Sequence, residues 1–462
     1  MLPGSMTPAT AAPDPDPAAS APGSEHRRSF RLGIWNGALY QWGEGFVDAN
    51  TVIPVFLSRL TSSNALIGLG AALPDIGWFL PQFATVPLLS RRARSIGLYR
   101  LAAVLRGLAF ALLAVLIVPL AGHPAALLAT FLACYATYSF GGGLAAVPFM
   151  EVVGKTVPQE RLGAYWSLRL FWGGLLVAGA GLFVRQLLRG GTDPPRFALL
   201  FGVACVLVSL GYGLFSIIRE PASPPRPEAG GPLGMLRQGL GMLAHDAHFR
   251  HLLVARATLS VWFAAAPFMV LFAVHELGGG PRAAGTFLLA RMTGFVLSNL
   301  LWHRVSSRHG DRVLMRIGAA ACSALPLAAA AVAIASPWGL GWLPAGAAVV
   351  ALEAVVCLGG AGQSAMTVGY SSLMLLLAPP GRRQAFVGLI NTFLGPIMLL
   401  PMLGGALVDW INAPVLFVLC AGAGLVGVRA AAKLRDSRGL PPEAPLPGGA
   451  GWADGDQPGG HG

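Results

Sequence analysis

The sequence predicts an all-α polytopic membrane protein in which twelve transmembrane helices form two six-helix parallel repeats. Three observations predict it. Of 462 residues, 55% are hydrophobic and only 11% charged, with a mean hydropathy of +0.64; soluble domains carry about a quarter charged residues. Twelve apolar runs are long enough to cross a bilayer as helices, which takes about 20 residues. They lie near 33–57, 65–89, 97–119, 124–148, 164–188, 197–218, 250–274, 283–303, 314–336, 343–372, 384–407 and 412–432. Finally, the chain repeats itself at an offset close to half its length. The loop Val157-Pro158-Gln159-Glu160-Arg161-Leu162-Gly163-Ala164-Tyr165 matches Ala378-Pro379-Pro380-Gly381-Arg382-Arg383-Gln384-Ala385-Phe386 without a gap, and Gly174 then aligns with Gly395. A second ungapped match pairs Gly68 with Gly285, Gly77 with Gly294, Leu80 with Leu297 and Ser90-Arg91 with Ser307-Arg308.

Residues 1–30, rich in proline, alanine and aspartate, are expected to be a disordered tail. The first span carries Asn36, Tyr40, Glu44 and Asp48 at every fourth position, with Gln41 and Thr51 beside them. At about 100° per residue these six share an arc of roughly 140°, which predicts a face lining a watery cavity. Trp35, Leu39, Trp42, Phe46 and Ile53 cover the other side. Asp75 lies midway along the second span, at about the depth of Glu44, and Arg106 lies within the third. A charge at mid-bilayer costs a few kcal/mol, so such residues face a cavity or pair with one another. Glu44 and Asp48 therefore either handle ions and substrate or bond Arg106 to lock helices.

The fifth span begins near Arg169, which could meet an anionic substrate or snorkel to lipid phosphate, and its Ala178-Gly179-Ala180-Gly181 run reads as close helix packing. Residues 219–249, with a proline cluster, form the linker, and Leu233 to Leu243 is predicted as a short surface helix. The halves are thus 31–218 and 250–438. In the second half, Arg291 in the eighth span and Glu353 in the tenth either pair with one another or contact substrate. Asn391 in the eleventh span is followed by Gly395-Pro396, which predicts a helix break. Residues 439–462 are again expected to be disordered.

The charge pattern sets the orientation. Of the 32 basic residues, 23 fall in the tails and the loops on one side, five in the loops on the other and four within spans. Basic residues concentrate on the cytoplasmic side, so both termini are expected there. The net charge of +12 belongs to this pattern and not to a nucleic-acid-binding domain. The five cysteines all lie in spans and suit small apolar packing, not disulfides. His245, His248 and His251 lack a fourth ligand, so no metal is expected.

These features resemble the major facilitator superfamily, prokaryotic type, from about Arg31 to Arg438. The Pro-x-x-Arg pattern before the fifth and eleventh spans looks like the family's repeated loop. The loop after the second span, Pro87-Leu88-Leu89-Ser90-Arg91-Arg92-Ala93-Arg94, and its copy from His303 to Gly310 are degenerate: serine replaces the family's acidic residue, while Arg91 and Arg308 are kept. The resemblance implies that family's fold, gating roles for Arg91, Arg161, Arg308 and Arg382, and rocker-like alternating access. Thr137 and Tyr138 stand where antiporters of the family carry an arginine, and no proline follows Gly173-Gly174, which weakens a reading as proton-coupled drug export.

The expected function is secondary transport of a small molecule across the cytoplasmic (inner) membrane, by a monomer with no cofactor and no enzymatic activity. Protons would couple through Glu44, Asp48 or Asp75. The alternative is an uncoupled facilitator for a small polar metabolite held by Asn36, Tyr40, Gln41 and Asn391. A sensor on the same fold would want a folded appendage, which the short tails do not offer. Partners are then the substrate, the lipid bilayer and, in the coupled reading, protons, with no nucleic acid.

Overall fold

A computed structural model of the chain describes residues 22–90, 92–223, 237, 240, 241, 243, 244, 247–377, 390, 391 and 393–434. The elements of the first half are α1 Pro22–Phe46, α2 Val52–Leu57, α3 Asn64–Ser90, α4 Ile96–Leu116, α5 Pro124–Thr156, α6 Gln159–Leu188 and α7 Pro194–Ser216. Those of the second are α8 Ala247–His275, α9 Ala283–His309, α10 Asp311–Ala335, α11 Ala345–Leu377, a 3₁₀ turn at Gly395–Leu399, α12 Leu400–Trp410 and α13 Ala413–Ala432. The described residues contain no strand, and nine of their helices are long and apolar enough to cross a bilayer unaided. Helices satisfy every backbone group internally, which hydrocarbon demands.

Two spans are broken, the first against expectation and the eleventh where Gly395-Pro396 predicts it, and both breaks have local causes. The first stops at Phe46 and restarts at Val52. The Asp48 carbonyl accepts from the amides of Thr51, Val52 and Ile53, while its carboxylate accepts from the Asn50 amide at 3.1 Å and the Thr51 hydroxyl at 3.0 Å. Aspartate thus captures the donors that a helix end leaves bare. In the eleventh span, Pro396 cannot donate to the preceding turn, and the helix tightens to 3₁₀ over Gly395–Leu399.

At the start of the chain, residues 22–30 belong to α1 and correct the expectation of a tail reaching to 30. Pro22 suits a first helical turn, Glu25 favours the positive end of the helix dipole, and Phe30 packs edge-on against Tyr165 at 5.9 Å. The expected linker helix from Leu233 to Leu243 and the tail 439–462 lie largely or wholly outside the described residues.

Each half has the same internal packing. α1 lies against α6 and α7, α3 against α5, and α4 against α5 and α7. In the second half, α8 lies against α12 and α13, α9 against α11, and α10 against α11 and α13. The halves meet chiefly where α6 lies on α9 and α3 on α12, with smaller contacts that include α2 on α8 and α3 on the 3₁₀ turn. The repeated glycines mark these meetings. A Cβ on Gly68 would lie 2.9 Å from the Cα of Met402, and one on Gly285 2.6 Å from the Cα of Arg185. One on Gly174 would reach Val296 of α9 at 2.6 Å, and one on Gly395 would reach Leu80 of α3 at 3.3 Å. Gly77 and Gly294 do the same inside each half, against Ser139–Phe140 and Cys357. Sequence matching and close approach agree position by position, as expected when one unit is duplicated.

The halves share one longitudinal polarity. The end carrying the 219–249 linker is tied within the first half. The Glu220 carboxylate accepts from the amides of Ser95 and Ile96 at 2.7 and 2.8 Å and pairs with Lys155 at 2.7 Å. At the opposite end, the Asp409 carboxylate accepts from the amides of Asn64 and Ala65 at 2.8 and 3.1 Å, so α12 caps the start of α3 across the halves. Ser58 and His275 also meet there, at 3.3 Å.

Candidate functional site

The polar face of the first span is built largely inward. Asn36, 1% exposed, donates to the Gly211 carbonyl at 2.9 Å and the Tyr99 hydroxyl at 3.2 Å, and accepts from Arg169 at 2.6 Å. Gln41 donates to the Arg169 carbonyl at 3.4 Å, and Tyr40 packs edge-on against Tyr212 at 5.9 Å. Asn36 and Gln41 are therefore bonded to α4, α6 and α7, which corrects the expectation that this whole face lines a cavity. Helical periodicity shows that polar residues share a side. It does not show whether water or a neighbouring helix satisfies them.

Arg106 of α4 organises the centre of the first half. It is 2% exposed, its Nη2 lies 3.2 Å from Glu44 Oε1, and its Nη1 donates to the Tyr138 carbonyl at 3.1 Å. Its guanidinium sits over the Tyr138 ring at 3.7 Å, with the Tyr212 and Tyr40 rings at 5.1 and 5.4 Å. The Tyr138 hydroxyl donates to the same Glu44 oxygen. Gly141 makes room for this side chain, since a Cβ there would lie 2.8 Å from Arg106 Cγ. A buried guanidinium is tolerated when its charge is paired and its face is covered by aromatic rings; one donor here, Nε, has no hydrogen-bond partner among the described residues. Arg169 is held differently. It bonds the Gly33 carbonyl at 2.9 Å as well as Asn36, and it covers the Phe149 ring at 4.6 Å.

Between the halves, Asp48 pairs with Arg291 of α9, with side chains only 12% and 9% exposed. Arg291 does not pair with Glu353, which corrects that expectation: the break at Asp48 turns its second carboxylate oxygen toward α9. Glu353 is half-buried, without a hydrogen bond or ion pair to the described residues. Asn391 donates to Gln82 of α3 at 3.0 Å, a second polar link between the halves.

Asp75 is half-buried on α3 and bonds no side chain of the described residues. Across the divide, α3 touches α8, which carries Arg256. Arg256 lies over the Tyr370 ring at 5.2 Å and is likewise without a carboxylate in contact. Arg256 falls within the seventh apolar run, 250–274, as one of the four basic residues inside spans, and the sequence assigns it no role. Its signal was the arginine itself, in the middle of an apolar run. The Arg106 cage was missed for a different reason: Tyr40, Tyr138 and Tyr212 come from three helices.

Of the loop arginines, Arg161 is exposed at the start of α6, Arg308 lies in the last turn of α9, and Arg91 and Arg382 lie outside the described residues. His245 also lies outside them. A separate cavity of about 390 Å³ opens at the end opposite the linker, lined by residues that include Ser58, Asn64, His275, Glu276 and Trp338. It is a vestibule above the closed contacts, away from the buried charges.

Comparison with known proteins agrees with this architecture. A sequence model described as Major Facilitator Superfamily matches residues 252–454. No curated protein sequence matches the chain. Among solved structures, a POT family transporter in complex with 5-aminolevulinic acid is 11% identical, with a TM-score of 0.66 over 88% of this chain and 95% of its own. A bacterial homologue of the iron transporter ferroportin in an outward-facing state is 16% identical, with a TM-score of 0.62 over 88% of this chain and 98% of its own. The xylose transporter XylE from E. coli, partially occluded and inward open, is 14% identical, with a TM-score of 0.63 over 90% of this chain and 100% of its own. At these identities the likeness is one of fold.

Proposed function

We propose that this multi-pass membrane protein, which has the major facilitator superfamily fold, is a secondary transporter that carries a small molecule between its two halves by alternating access. The observation that carries the reading is the Asp48–Arg291 pair, a buried ionic contact between halves that also meet through close glycines and the polar links of Asp409 and Asn391. A carrier needs contacts that can be exchanged between two packings of the same halves, and charge pairs are suited to this because water or a ligand can replace them. The tight meetings described here run from mid-span to the end opposite the linker. With the basic linker and tails on the cytoplasmic side of the inner membrane, this supports a state closed outward.

Proton coupling follows most directly through Asp48. A proton on Asp48 removes half of a cross-half pair, whereas a proton on Glu44 acts within the first half alone. Asn391, through Gln82, adds a neutral link that does not respond to pH. Flux by purified protein in liposomes, measured with and without a pH gradient, tests both levels. Substrate flux that alternates with the gradient, and loses that dependence in Asp48→Asn, supports the coupled carrier. Unchanged coupling in Asp48→Asn removes Asp48 from the proton path.

A further inference from the structure

We propose that the transported molecule is a small zwitterion, its anionic group held by Arg256 and its ammonium by Asp75. The inference rests on the carrier reading and adds a substrate class to it. Among the buried and half-buried charges in the spans, some are paired and others, Glu353 included, are not. Arg106 with Glu44, and Arg291 with Asp48, are already paired. Asp75 on α3 and Arg256 on α8 stand on touching helices of opposite halves, and neither forms an ion pair with the described residues. A charge left without its counter-charge in a low-dielectric site is costly, and such residues mark ligand paths.

Helix α11, on whose Tyr370 ring Arg256 stacks, carries a second, independent sign of an unfilled site. Tyr370 Oη and Gln363 Oε1 on α11 are buried and without a hydrogen-bond partner. Seven residues apart, they lie on one face of α11, and Arg256 stacks on the Tyr370 ring. A carboxylate docked on the guanidinium could accept from the Tyr370 hydroxyl, and an N–H of the ligand could donate to Gln363. The guanidinium fork is suited to a planar carboxylate. On the other side, Asp75 presents a carboxylate that no side chain of the described residues neutralises. A cation alone would leave Arg256 unpaired, and an anion alone would leave Asp75 unpaired. A zwitterion balances both and spans the two halves.

The test uses the full-length protein in lipid nanodiscs and a ladder of ω-amino acids from glycine to ε-aminohexanoate, which varies the separation of the two charges. N-acetyl and methyl-ester derivatives of each member remove one charge at a time. Binding is read by thermal shift. The gap between Leu168→Cys and Leu300→Cys spin labels, on the linker-side parts of α6 and α9, reports the conformation, with the native cysteines replaced by alanine. One or two ladder members should bind at least about tenfold more tightly than either derivative, the scale of a charged hydrogen bond. Arg256→Gln should abolish the preference over the methyl ester, and Asp75→Asn the preference over the N-acetyl form.

If no ladder member binds better than its singly charged derivatives, or if both variants keep wild-type selectivity, the zwitterion is wrong. The label distances keep that failure distinct from failure of the carrier reading. Two exchanging distance populations uphold the carrier whatever the ladder shows, while a single population under every condition overturns it.

Discussion

Removing the Asp48 charge should open the end of the protein opposite the linker. In Asp48→Asn, Arg291 remains in a site where it is only 9% exposed, with no anion to balance it. Breaking a buried ion pair on one side costs about 3–5 kcal/mol. The partial exposure of both side chains argues for the lower end, about 3 kcal/mol, which is a shift of roughly a hundredfold in an equilibrium. A protein closed at this end about 99% of the time would then populate the two states about equally. Opening hydrates Arg291, so the strain is relieved in only one direction. Spin labels at Ser62→Cys and Glu276→Cys, exposed sites on either half at the vestibule, should show a second, longer distance. Arg291→Gln should do the same, and the exchanged pair Asp48→Arg with Arg291→Asp should restore the short distance. An unchanged distance in both single variants would mean that the pair does not hold this end shut.

Other outcomes follow from the same contacts. Arg106→Leu leaves Glu44 without its cation and should lower thermal stability strongly, by about 3 kcal/mol or more, whereas Arg106→Leu with Glu44→Gln should recover part of that loss in a melting experiment. Gly285→Leu adds a side chain where a Cβ alone would lie 2.6 Å from the Cα of Arg185, so the α6–α9 contact cannot close; the Ser62–Glu276 label distance should lengthen, and Gly68→Leu should act alike at α3–α12. Glu220→Ala removes the carboxylate that caps α4 and holds Lys155; a melting experiment should show a loss of about 1.5–3 kcal/mol, and the Ser62–Glu276 distance should not move, because every partner lies in the first half.

The repeat was the most legible part of the sequence, because close packing leaves a glycine trace. Gly68, Gly285, Gly174 and Gly395 align in sequence and sit where the halves touch, so matching them located both interfaces without naming them as such. Hydropathy found the spans for a related reason, since the bilayer sets their length. The site was less legible. Asn36, Tyr40, Glu44 and Asp48 share a helical face, but α6 and α7 satisfy the upstream part of it, and no single helix carries that information. The break at Asp48 was hidden because aspartate in an apolar run reads equally well as a lining residue or as a backbone cap. Here it is both. Arg291 was read either as the partner of Glu353 or as a substrate contact, since a pair within one half is easier to see in a sequence than one between halves.

The duplication also bears on how a ligand would drive the machine. The symmetry that relates the halves exchanges the second span with the eighth and the first with the seventh. It therefore exchanges the Asp48–Arg291 connection, first span to eighth, with the Asp75–Arg256 connection, seventh span to second. In the state described here the first connection is made and the second is not. The acid and base have also changed places between the second and eighth spans, so the two connections need not respond to the same ligand. One is complete without help. The other is completed by a molecule that carries both charges, and completing it draws the second and seventh spans together. Binding would then favour a packing different from the one that Asp48 and Arg291 stabilise, and a ligand can shift an equilibrium only by such differential contact. The inequality of the two pairs, more than the likeness of the two halves, is what would make transport depend on substrate.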